Sequence, residues 1–172
     1  MDEIPAQYLI SQNLAMSTED FIKIGGQDGK MVTYGGGDTE FGYRISKLLN
    51  VPVIFNQKAL GYSEMPKTLD YALNQHIEFG KINLPYIHNK YPEFTSLFRF
   101  DLIASNSIQS FFVNLFMNKW MRNIVYFLTS KTRPCFRRKC IHYLVFYSIQ
   151  KGYRSYIKTK KNDESPKEKS VF

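Results

Sequence analysis

Apolar side chains recur at three- and four-residue spacing in three separate stretches, and each stretch predicts an amphipathic helix. In the first, Phe41, Ile45, Leu48 and Leu49 share one face, and Asn50 and Pro52 close the run. In the second, Leu69, Ala72, Leu73 and Ile77 form a stripe that is entered at Pro66 and Thr68 and limited by Gly80 and Pro85. The third is the longest. Between residues 107 and 128, Ile108, Phe111, Phe112, Leu115, Phe116, Trp120, Met121, Ile124, Val125 and Leu128 oppose a side carrying Asn114, Asn118, Arg122 and Asn123.

Shorter patterns fill the gaps. "QYLISQNLAM" (residues 7–16) and "VPVIF" (51–55) read as extended pieces or strands. Ser17, with Asp20 three positions on, predicts a capped short helix that carries Phe21, Ile22 and Ile24 and ends at Gly25 and Gly26. A further apolar run from Ile141 to Ile149 follows the basic turn "RPCFRRK". It is shorter than the roughly 20 residues a bilayer-spanning helix needs. The closing "KTKKNDESPKEKSVF" is polar and charged and reads as disordered. With a break at "NKYPEF", these patterns divide the chain into 1–92, 93–157 and 158–172.

Charge sharpens that division. The 172 residues carry a net charge of +8, but residues 1–101 sum to −3 and residues 102–172 to +11. Such asymmetry points the basic part at a polyanion. Arg133, Arg137, Arg138 and Lys139, with Trp120 and the long amphipathic stretch, suit an anionic membrane surface. A solvated face over an ordinary helical core fits the same pattern. Nucleic acid is not expected as a partner, because no RNA- or DNA-binding module motif is present. Cys135 and Cys140 have no second pair beside them and read as reduced thiols of a cytoplasmic chain. "MDEIPAQ" lacks the basic flank and apolar core of a signal peptide. His76, His88 and His142 belong to no metal-spaced set, and read as surface, loop and interfacial or core histidines respectively.

The candidate chemistry lies in "GGGDTE", residues 35–40. Asp38 falls at the mouth of the first predicted helix, where unpaired backbone N–H groups and the macrodipole favour negative charge. Gly35, Gly36 and Gly37 leave an open floor that a ligand can approach closely. A carboxylate fixed there suits a general base toward a bound hydroxyl, with Glu40 and Thr39 beside it to hold the ligand. The same residues also read as an N-cap after a glycine turn. No Gly-Lys-Ser/Thr follows, so the run is not a P-loop.

Residues 13–45, "NLAMSTEDFIKIGGQDGKMVTYGGGDTEFGYRI", resemble the C-terminal half of family 2 glycosyltransferases and the related galactosyltransferase C-terminal domain. The order of a short helix, a Gly-Gly-x-Asp turn, a Gly-Gly-x-Asp-x-Glu motif and a following Arg carries the likeness. "NVPVIFNQKALGYSE", "HIEFGKINLPYIHNKYPEF" and "YLVFYSIQKGYRSYI" extend it over about residues 8–157. Gln27, Gly29 and Gly37 depart from the family's Phe, Glu and Glu, and no histidine follows the strand between Leu60 and Glu64.

The resemblance implies an α/β chain, the acceptor-side half of a Rossmann-like GT-A fold with a helical tail. It implies inverting transfer of a sugar from a nucleotide-sugar donor to a glycan or lipid-linked acceptor, in cell-surface polysaccharide or glycolipid synthesis. Asp38 would be the base, Glu40, Gly35 and Gly36 the acceptor side, and Arg44 a structural partner for Glu40 at i+4. A divalent metal, Mg or Mn, is expected for the complete enzyme. Its Asp-x-Asp motif and ligand set are not found in this sequence, so the chain reads either as a truncated product or as one that works with a separately encoded donor half. The expected location is cytoplasmic, peripheral on the inner face of the cell membrane. The alternative is a membrane-peripheral binding remnant of such an enzyme without turnover.

Overall fold

A computed structural model describes residues 2–5, 8–49, 51–62, 67–93, 102–103 and 113–164. The readings placed on Pro66, on residues 107–112 and on residues 165–172 lie outside the described residues. The chain divides into two compact units, Met1–Thr68 and Leu69–Phe172. The division falls well ahead of the boundary expected near residue 92.

The expected α/β Rossmann-like half is not what forms. Among the described residues, helix accounts for 68% and strand for 4%. A Rossmann-like layer needs several parallel strands joined by helical crossovers. Among the described residues the one sheet is an antiparallel ribbon. In it β1 (Asp2–Ile4) pairs with β2 (Val53–Phe55), with Asp2 opposite Phe55 and Ile4 opposite Val53. Residues 7–16, expected as a strand or an extended piece, form no strand among the described residues; they pass through a 3-10 turn at Ser11–Asn13 between extended Ile10 and Leu14. Ser11, Gln12 and Asn13 break the apolar run there, and the Ser11 side chain bonds away from its own segment.

In the first unit, α1 (Thr18–Lys23) begins with the reciprocal cap that the sequence predicts. The Asp20 N–H donates to Ser17 Oγ at 3.0 Å, and Ser17 Oγ donates to the Asp20 carboxylate at 2.7 Å. It ends in a Schellman turn. Gly25 and Gly26 take φ of 78° and 65°, and their N–H groups donate to the Ile22 and Phe21 carbonyls, both at 2.9 Å. Helix α2 spans Gly37–Leu48. Its Phe41 and Ile45 pack with Leu9 and Ile24 in a small core, flanked by Leu14, Met16, Leu49 and Val53. Leu48, placed on the same face by spacing, is exposed at the last residue of the helix.

The second unit is helical among its described residues: α3 (Leu69–Lys81), α4 (Asn83–Lys90), α5 (Lys119–Lys131) and α6 (Pro134–Glu164). Helix α3 runs through Gly80, and Pro85 sits in the first turn of α4, where its missing N–H costs nothing. His88 therefore lies on α4, not in a loop, and His142 is exposed on α6. Helices α3, α4 and α5 all pack on α6. Leu84, Ile87 and Leu144 are fully buried in this unit.

Two sequence boundaries move here. Asn118 accepts the Met121 N–H at 2.9 Å and caps α5, so the helix expected over 107–128 has a start at Lys119. "RPCFRRK" is not a turn, because Pro134 opens α6 from the favoured first helical position. The same helix continues to Glu164, so residues 158–164, expected as disordered, are helical. No helix among the described residues is long and apolar enough to cross a membrane.

Candidate functional site

The glycine run and the two carboxylates form the mouth of α2. Gly35 and Gly36 adopt φ of 94° and 81°, a left-handed conformation in which any Cβ is strained. Gly36 is the N-cap, and its carbonyl accepts the Glu40 N–H at 2.8 Å. Gly37 is the first helical residue, and a Cβ there would meet nothing within 4 Å. The three glycines thus differ. Gly36→Ala should destabilise the first unit by about 1–2 kcal/mol, whereas Gly37→Ala should raise stability by about 0.4–1 kcal/mol by restricting the unfolded chain. Thermal denaturation of the two variants checks this, and equal effects would contradict it.

Asp38 and Glu40 have separate environments. Asp38 is half-buried in the first turn of α2, and Ser11 Oγ donates to its Oδ1. Thr39 is also half-buried. Ser11 further lines a cavity of about 380 Å³ with Ser17, Thr18, Gln27, Phe21 and Phe41. That cavity mixes hydroxyl and amide groups with two aromatic rings and the apolar Leu14, Ala15 and Met16, and Ser11 connects its wall to Asp38. Glu40 is 1% exposed and meets Arg44 in a two-point ion pair, with Nε–Oε1 and Nη2–Oε2 both at 2.9 Å. The i,i+4 partnership expected from the sequence is present. Arg44 Nη1 also donates to the Ile24 carbonyl at 2.6 Å, which ties α2 to the end of α1.

Ser11 is the part of this site that sequence reasoning missed. It stands 27 residues before Asp38, inside a segment expected to be a strand or an extended piece, and no local pattern links the two. Among the described residues no three His, Cys, Asp or Glu side chains form a group that could hold a metal ion. Comparison with protein-family models, with curated proteins and with solved structures finds no match to this chain.

The basic candidates belong to the second unit. Trp120 is 73% exposed on α5. Arg133 is exposed in the link to α6, and Arg137, Arg138 and Lys139 are exposed in the first turns of that helix. No acidic residue stands in that first turn to complement the macrodipole. Both cysteines are free thiols, Cys135 exposed and Cys140 buried. Tyr126 donates to the Asp70 carboxylate at 2.8 Å, a bond that joins α5 to α3 and pushes the tyrosine pKa up.

Proposed function

We propose that this chain supplies the acceptor side of a nucleotide-sugar-dependent glycosyl transfer, with Asp38 as the general base. The observation that carries the proposal is a carboxylate held at a helix mouth after left-handed glycines, tied through Ser11 to a cavity of mixed polar and apolar lining. Ser11 fixes one carboxylate oxygen, and the other takes the proton from the acceptor hydroxyl as the hydroxyl oxygen bonds to the sugar's anomeric carbon and the bond from that carbon to the nucleoside diphosphate breaks, the diphosphate leaving with the electron pair. Burial and pairing give Glu40 a positioning role: it holds the first turn of α2 through Arg44. The ordered motif series of residues 13–45 supports the same chemistry. The reading requires a donor-binding partner that brings the nucleotide sugar and its cation, and a glycan or lipid-linked acceptor. It places the protein in the cytoplasm, peripheral on the inner face of the cell membrane.

The test compares the full chain with Asp38→Asn. Each is incubated with native membranes as the source of the donor-binding partner, Mg or Mn ions and a panel of uridine- and guanosine-diphosphate sugars, and products are followed by mass spectrometry. Sugar transfer by the wild type, reduced about 100-fold or more in the variant, is the expected result. Equal rates would move the base elsewhere. No transfer by the wild type would sink the transferase reading and leave the binding-module alternative, which glycan-array binding then examines.

A further inference from the structure

Helix α5 carries two apolar stripes, about a quarter of a turn apart around its axis. Met121, Val125 and Leu128 are half-buried on the side that faces the unit's interior. Trp120, Ile124 and Phe127, spaced four and three residues apart, make the second stripe and are 73%, 38% and 62% exposed. A surface helix with one apolar stripe needs no partner. A second stripe, left in water next to a large aromatic, does.

Charge indicates which partner. Lys131 continues the exposed stripe four residues after Phe127, and Lys119 stands at the other end of α5. At the Lys131 end the chain turns through Arg133 into the exposed Arg137 and Arg138. Those two cations sit in the first turns of α6, where the helix macrodipole disfavours them. An external anion relieves that repulsion.

We infer that the outer face of α5, with the α5–α6 turn, is a bilayer-docking face. Trp120, Ile124 and Phe127 enter the headgroup–acyl boundary, and Lys131, Arg133, Arg137 and Arg138 rest on anionic headgroups. The helix lies in the plane of the surface. Its length, Lys119–Lys131, suits that posture and is too short to span. The long lysine and arginine side chains reach outward to the headgroups while the aromatic side chains sit deeper. This inference rests on the peripheral membrane location proposed above, and it adds the residues that insert.

Trp120 is the chain's one tryptophan, so its fluorescence reports this face alone. The full protein is mixed with phosphatidylcholine vesicles, with or without about a third phosphatidylglycerol, and binding is read by flotation. We expect binding to the anionic vesicles only, a blue-shifted emission and quenching by brominated lipid. Phe127→Glu, on an exposed position, should weaken binding about tenfold or more while leaving the circular dichroism unchanged. Combined Arg133, Arg137 and Arg138 to Ala should weaken it about 100-fold. Binding that depends on charge but leaves Trp120 emission unmoved, or that tolerates Phe127→Glu, would overturn the insertion face and leave peripheral binding standing. No binding to either vesicle would overturn both. Equal binding to both vesicles would remove the cationic rim. A blue shift that grows with protein concentration and needs no lipid would assign the face to a second copy of the chain instead.

Discussion

Alanine at Gly152 should cost the second unit about 3 kcal/mol or more, at the upper end of what overpacking does. The reason is a backbone-to-backbone crossing of α3 and α6. A Cβ on Gly152 would lie 2.0 Å from the Ile77 carbonyl oxygen, and one on Gly80 would lie 2.1 Å from that of Ile149. Both obstacles are main-chain atoms inside regular helices, so neither can rotate away. The two helices would have to separate, and the contacts around buried Phe79, Ile149 and Gln150 would open with them. Urea denaturation of the full chain checks this, with Gly29→Ala as the control, because a Cβ at Gly29 meets nothing within 4 Å. A Gly152→Ala variant of unchanged stability would show that α3 and α6 do not cross this closely. A Gly80→Ala/Gly152→Ala pair should lose less than the sum of its single changes, since either clash alone already separates the helices.

That crossing also shows what a single sequence conceals. Glycine in a helix interior costs about 1 kcal/mol relative to alanine, so Gly80 and Gly152 each look like helix ends. Gly80 was expected to limit its helix for that reason, yet α3 passes through it. Only the partner helix explains either residue, and that partner lies about 70 positions away. Local signals fared better where both halves of an interaction sit within a few residues. Ser17 and Asp20 form the cap their spacing indicates, Gly25 and Gly26 end α1, and Glu40 meets Arg44 one turn on.

The α/β expectation failed for a related reason. "VPVIF" has strand composition, and β2 does form, but its partner is the distant Asp2–Ile4 and among the described residues the sheet has two strands. Composition speaks for a strand and says little about how many neighbours it finds. The basic end was misjudged in the opposite direction. "RPCFRRK" looks like a turn because it mixes proline with charge, but Pro134 is well placed to begin a helix, and α6 continues past Ile149 into polar residues. The candidate site was legible as a location, residues 35–40, while its support from Ser11 was not.

Glu40→Ala should be the most damaging single change in the first unit, at about 3–5 kcal/mol, the cost of leaving a buried charge without its partner. Arg44 is buried beside Phe41, with its guanidinium 5.5 Å from the ring centre. Two of its three hydrogen bonds go to Glu40, and the third reaches the Ile24 carbonyl at the end of α1. Removing Glu40 strands that cation and loosens the junction that holds α2 under Asp38. Replacing both partners with apolar residues of similar volume, Glu40→Leu with Arg44→Met, should recover most of the loss, because a buried ion pair and a well-packed apolar pair differ little in net stability. Chemical denaturation of the two single variants and the double variant gives the coupling directly. The same set separates two roles for Glu40. If its carboxylate only positions α2, the double variant regains whatever transfer activity the Glu40→Ala chain loses. If Glu40 itself handles the acceptor, stability returns and activity does not.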